Sequence, residues 1–243
     1  MILHPRFRRG MKAAVPVWIA FVPSSIAWGI AAQASGLSLD EVLLLSACVY
    51  SGPAQFAVLA PLAAGTPALQ VILAAFLVNL RFFPMSMALT PFFGAVKRRW
   101  LLFAAHFISA SSFVIPYLQF RKEKESPAPD ERAPESYGRS NLAFFLGVGM
   151  TSFLVWLVGS GAGFEIAQAL PKNFDEGLKF ILPAYFAGLL AIDVRGRVMV
   201  AVCLASLILA VPAVMWSPDW GWIITAVTVA TVAWSLEQWT TRA

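Results

Sequence analysis

A polytopic, all-α membrane protein is the fold class this sequence predicts, and three observations carry that reading. Of its 243 residues 59% are hydrophobic and only 13% are charged, with a mean hydropathy of +0.72. A water-soluble domain is about 45–50% apolar and about 25% charged, so too few charges remain here to cover a globule. The apolar residues also fall into eight runs, 13–34, 42–64, 68–96, 100–118, 141–164, 180–192, 198–217 and 219–236, most of them near the ~18 residues that a spanning helix needs. Finally, the basic residues of this chain of net charge +5 lie outside the runs, Arg81 excepted, the pattern of a membrane protein rather than of a nucleic-acid surface.

Taken in order, the first run follows Arg6, Arg8, Arg9 and Lys12. It is longer than the ~7–15 apolar residues of a secretory signal and is interrupted by Pro16 and Pro23, so it reads as a retained first helix. The second is interrupted at Ser51-Gly52-Pro53 and Pro61, the third at Arg81, Pro84 and Pro91. Proline removes a helical hydrogen bond and clashes with the preceding turn. Irregular backbone at membrane depth survives only where it is packed in protein or lines a wet cavity. Both runs are therefore expected to be broken or re-entrant. The fourth holds His106, Ser109, Ser111 and Ser112. After it comes a polar stretch, 121–139, with five Lys/Arg and five Asp/Glu among Pro and Ser. This predicts a solvated loop joining the halves 1–120 and 140–243 of one transmembrane permease domain. The run 180–192, at about 20 Å of helix, is too short for a simple crossing. Trp100, Trp216, Trp220, Trp222 and Trp239 near run ends read as interfacial anchors. Cys48 and Cys203 read as small packing residues.

The halves have a common pattern. Asp40-Glu41 and Asp175-Glu176 each precede a tyrosine, Tyr50 or Tyr185, and then a glycine, Gly52 or Gly188. Transporters often contain internal repeats with their sites at the repeat interface; the alternative is that acids simply favour helix N-termini. The charges do not thread through eight simple crossings. With the N-terminus on one side, two crossings after the acidic 35–41 connection put Lys97-Arg98-Arg99 on the wrong side. Either 42–64 or 68–96 fails to cross simply, or the charge rule fails here.

Arg81 is the first candidate for function. It lies near the middle of 68–96, which contains no acid, and a charge there costs roughly 2.5–3.5 kcal/mol on insertion scales. A ligand carboxylate would answer it; snorkelling, or pairing with Asp40 or Asp193, is the alternative. Gln55 and Asn79 are polar groups at expected breaks, suited to a zwitterion or, alternatively, to hydrogen bonds between helices. There is no HExxH or GxSxG motif, and the only histidines are His4 and His106. His106 is one helical step from Ser109, but helix-to-helix hydrogen bonding accounts for that cluster without a catalytic dyad. No enzyme, metal site or prosthetic cofactor is expected.

The segments VPSSIAWG (22–29), GLSLDEVLLLSACVYSGPAQF (36–56), NLRFFPMSMAL (79–89) and FILPAYF (180–186) occur in the order that resembles the AzlC/YgaZ family. These are the large subunits of bacterial branched-chain amino acid exporters. The matching positions are Pro23, Gly29, Gly36, Glu41, Gly52, Gln55, Phe56, Asn79, Arg81 and Pro183. The resemblance implies proton-driven export of hydrophobic amino acids from the bacterial inner membrane, with a small membrane partner of the AzlD/YgaH type and no nucleic acid. The N-terminus would be cytoplasmic. Where the family often has an acidic pair in the fourth segment, this chain has Ser109-Ala110-Ser111-Ser112-Phe113. The departure leaves the coupling ion and the substrate open. The expected substrate site is Arg81, Asn79 and Gln55 over a floor of Tyr50, Gly52, Pro53, Pro183 and Tyr185, with Pro23, Gly29, Gly36 and Glu41 as structural motif residues. The competing readings are a channel or carrier for another small organic solute, and a non-transporting subunit of a membrane complex.

Overall fold

A computed structural model describes residues 4–125, 134–171 and 197–242 except 95, 218 and 219, with isolated positions 177, 180, 184 and 187. Every element among the described residues is helical: α1 (Pro5–Ala34), α2 (Leu39–Cys48), α3 (Gly52–Ala63), α4 (Ala68–Asn79), α5 (Phe82–Leu89) with a 3₁₀ turn at Thr90–Phe92, α6 (Arg98–Ala105), α7 (Ala110–Glu125), α8 (Pro134–Ala169), α9 (Arg197–Trp216) and α10 (Gly221–Arg242). Among these residues α8 and α9 are each long and apolar enough to cross a membrane alone; the bent α1 and the pair α4/α5 bring the number to four.

The body is built on α1 and α8, which run parallel in intimate contact. A Cβ on Gly147 would meet the Phe7 carbonyl, one on Gly29 the Ser160 carbonyl, and one on Gly163 the Ile26 carbonyl. Small residues let two backbones approach this closely, the usual means of helix association in lipid. Gly29 thus owes its place to packing. Pro23 lies within α1, which bends by 59° between its arms Pro5–Ile19 and Phe21–Ala34; the missing amide of Pro23 falls one turn after Ile19. Gly36 ends α1 with φ +86°, and the Gly36 and Leu37 amides donate to the Gln33 and Ala32 carbonyls. A left-handed residue is needed there, and glycine adopts it without strain.

Two short hairpins enter this body from opposite ends. At the C-terminal end of α8, Ser38 and Glu41 form a capping box that starts α2. Leu43 then lies by Gly161, Ser46 donates to Ser160 Oγ, and Tyr50 meets Phe153 near the middle of α8. The chain stops being helical at Val49–Ser51 and turns back as α3, where Gln55 meets Trp156, Phe56 meets Trp28, and Leu59 joins the Trp28–Ala31–Ala32 cluster. The run 42–64 therefore returns to the end it came from. Pro53 suits the first turn of α3, where its missing amide is no loss.

At the other end, Phe93 and Val96 pack by Gly138, and Asn141 Nδ2 donates to the Phe92 carbonyl. From there α6 rises to Phe107, against Gly149 and Phe153, and α7 descends with Phe120 on Phe144. It ends where Glu123 pairs with Arg6 at 2.5 Å. This second turn-back is a correction to the reading of 100–118 as one continuous segment. The Ser109 and Ser112 side chains each accept from the other's amide (3.3 and 2.7 Å), which starts α7 after a break at His106–Ser109. Between the hairpins α4/α5 runs from one end to the other, bent by 44° at Leu80–Arg81.

The polar stretch is shorter than expected. Residues 121–125 complete α7 and 134–139 begin α8. Within the former, Arg121 pairs with Glu125 and Glu123 is drawn in by Arg6, while Lys122 and Lys124 suit the last turn of a helix. The basic clusters at 6–12, 97–99 and 121–124 all gather at the N-terminal end of α8. With 42–64 as a turn-back, Lys97-Arg98-Arg99 come to the same end as the basic N-terminus. Pro183, Tyr185 and the second copy of the suspected repeat lie outside the described residues. α9 and α10 pack on each other.

Glu41 accepts from the Ser38 amide at 2.7 Å, and that bond holds its carboxyl below the usual range. A depressed carboxyl stabilises the fold above its unfolded pKa and loses that contribution as pH falls through the folded value. Glu41→Ala is accordingly expected to lower the melting temperature at neutral pH, with the gap from wild type closing in acid; a gap independent of pH would contradict the capping role.

Candidate functional site

Three helix breaks meet at mid-height. Phe153 of α8 is the meeting point: its ring lies 5.3 Å from Tyr50 of the first tip, and 5.5 and 5.4 Å from His106 and Phe107 of the second. The Tyr50 hydroxyl lies beside Ser109 across the tips. Next to this contact is a cavity of about 360 Å³, open to the surface, lined by Cys48, Val49 and Tyr50 from the first break, Phe76, Asn79 and Phe82 around the second, and Ala105, His106 and Ile108 at the third; Cys48, Phe76, Ala105 and His106 are exposed in it. Cys48 is exposed, a cavity residue instead of the packing residue expected.

The expected site residues divide by position. Tyr50 and Asn79 line the cavity. Gly52 and Pro53 form the first turn of α3, directly after Ser51, whose side chain makes no capping bond. Arg81 sits at the second break; its guanidinium donates to Ser51 Oγ at 3.4 Å and lies 5.0 Å over the Phe82 ring. The contact with Ser51 joins it to the residue just before α3. Fully buried, Gln55 Oε1 accepts from Trp156 Nε1 at 3.0 Å, a helix-to-helix bond. Asp40 is no partner for Arg81 either, since it stands at the far end of α2, about 15 Å of helix from Ser51.

The chemistry offered is polar and asymmetric. Arg81 and the uncapped N-terminus of α3 bring positive potential to one side of the first tip. Asn79 Oδ1 is buried with no hydrogen-bond partner, an acceptor whose desolvation is uncompensated. Aromatic and aliphatic side chains supply the rest of the wall. Two contributors escaped the sequence reading. Phe153 sits in an unbroken apolar run with no distinguishing signal. His106 was noted, but its place depends on a break that the reciprocal Ser109-x-x-Ser112 capping pattern could have revealed. Among the described residues, no three His, Cys, Asp or Glu side chains are grouped to hold a metal ion.

Two hairpins that turn back to the ends they came from and bent apolar helices long enough to span define a helical membrane protein. The chain belongs to the AzlC family, whose model, described as AzlC protein, matches residues 16–170. It is 25% identical over 193 residues to an uncharacterized membrane protein of Archaeoglobus fulgidus, covering 79% of this chain and 77% of that one. It is likewise 25% identical over 196 residues to inner membrane protein YgaZ of Escherichia coli K12, covering 76% and 71%. No solved structure matches it.

Proposed function

We propose that this protein exports branched-chain or similar hydrophobic amino acids across the bacterial inner membrane, driven by the proton gradient. In this reading it is the multi-pass large subunit of a pair with a small membrane protein of the AzlD/YgaH type, with the basic end of α8 and the N-terminus in the cytoplasm. The observation that carries it is the position of Arg81: a guanidinium at the bend of a spanning helix, beside a cavity with one unsatisfied acceptor. A zwitterion fits that pair. Its carboxylate takes the guanidinium fork near Ser51 and the α3 N-terminus, its ammonium takes Asn79 Oδ1, and its aliphatic side chain lies against Tyr50, Phe76, Phe82 and Ile108. The hairpins give the two gates, one from each end, and movement of either tip would open the cavity to that side.

The test is efflux from cells loaded with peptides of Leu, Ile, Val and Met, with and without the small partner. Gradient-dependent, saturable efflux of one or more of these is expected. No efflux of any with the partner present would remove the reading, and flux that does not saturate would favour a channel.

A further inference from the structure

We infer that His106 is the point at which a proton and the substrate's ammonium group compete. This rests on the amino acid reading above and names the coupling residue of that same cavity.

His106 and Asn79 line one cavity, and the unpartnered Asn79 Oδ1 is the acceptor that calls for an ammonium. Among the described residues no carboxylate lines that cavity. The titratable and charged groups that face His106 are few. Among the described residues, Tyr50 and Cys48 of the first tip line the cavity with it, Arg81 sits at the α4/α5 bend against Ser51 and Phe82, and the contact from α8 is the uncharged ring of Phe153. Imidazole is the side chain whose ordinary titration falls between pH 5 and 8. Neutral, it offers a ring nitrogen that accepts a hydrogen bond; protonated, it has only donors. With the carboxylate held at Arg81, the ammonium, carried on the carbon next to the carboxyl carbon, enters the space shared by Asn79 and His106. A neutral His106 accepts from it, whereas a protonated His106 repels it. The ammonium therefore arrives as one proton leaves the imidazole for solvent, and by reciprocity a proton arriving weakens substrate binding by the same factor. That is an exchange of proton for substrate with no carboxylate required.

The test uses the purified full chain with its small partner in lipid nanodiscs, with leucine as the probe. Calorimetry in two buffers of different ionisation enthalpy gives the protons released per leucine. Wild type should release protons on binding leucine at some pH between 5 and 8, and at the acid end of that range should bind it up to about tenfold more weakly per pH unit. His106→Gln, which keeps an acceptor but does not titrate, should release none and bind with a flat pH profile. Isocaproate, which has the leucine side chain but no ammonium, should bind wild type without proton release. Proton release unchanged in His106→Gln, or a flat wild-type profile, overturns the proposal.

A second measurement does not depend on that variant folding. With His4→Gln the chain retains one histidine, so its imidazole NMR signal belongs to His106. Leucine must move its titration to lower pH; no movement overturns the proposal. Absence of any leucine binding by wild type is a different failure, which removes the functional reading and this inference with it.

Discussion

Arg81→Lys, at equal membrane abundance, is expected to lower leucine efflux at least tenfold, although it keeps the positive charge. Tenfold corresponds to about 1.4 kcal/mol of binding, a modest share of what a two-point hydrogen-bonded carboxylate contributes. The guanidinium presents a planar fork that matches a carboxylate with two parallel bonds, whereas an ammonium is a compact, strongly hydrated point charge. The side chain also has two partners. Its donation to Ser51 Oγ and its contact with Phe82 orient the fork at the α4/α5 bend. Arg81→Ala should impair efflux at least as much. Wild-type efflux from the lysine variant would leave Arg81 a structural role only.

The largest stability effect is expected at Gly163→Ala. A Cβ there meets the Ile26 carbonyl oxygen and carbon of α1, backbone atoms that cannot rotate away. The two helices at the heart of the body would have to separate, undoing neighbouring contacts such as Trp28 Nε1 to Ser46 Oγ at 2.9 Å and Ser46 to Ser160. Overpacking of this kind costs about 1–3 kcal/mol, occasionally more, enough to reduce the folded protein in the membrane several-fold. Gly161→Ala is the control. It lies two residues away on the same helix, but its Cβ would meet only a Leu43 methyl at 3.5 Å, an ordinary contact. Folded abundance in mild detergent should separate the two variants; equal loss in both would contradict the close α1/α8 approach.

The sequence made some of this legible because proline and glycine act locally. Ser51-Gly52-Pro53 marked the first break, and the break lies at Val49–Ser51 with Pro53 in the turn that follows. Arg81 marked the second, where the chain bends by 44°. Charge placement, if its rule held, required that 42–64 or 68–96 not cross, but could not choose between them, since each is long enough to span. The choice is made by tertiary contacts: Phe56 on Trp28 and Gln55 on Trp156 draw α3 back toward the end where α2 began. The third break was missed because a pair of serines, unlike a proline, breaks a helix only by competing for its amides. The charged stretch at 121–139 read as loop from composition alone. Glu123 becomes helical through a partner 117 positions earlier, Arg6, which no local pattern could reveal. Gln55 and Arg81 both looked like ligand groups. Gln55 is instead taken up by its bond from Trp156, which follows from the α3 face that packs on α8.

The architecture's central claim is that α2/α3 returns to the end it started from, so that two tips from opposite ends meet at the site. Sidedness of single cysteines tests it most directly, in a Cys48→Ala, Cys203→Ala background that removes both native thiols. Asp40 precedes this hairpin, Ala64 follows it, and Lys97 lies at the basic end; all three are exposed. With a membrane-impermeant thiol reagent on intact cells, Asp40→Cys and Ala64→Cys should label alike, and Lys97→Cys should label only after the cells are opened. Labelling of Asp40→Cys and Ala64→Cys from opposite sides would show that 42–64 crosses the membrane and would dismantle the site.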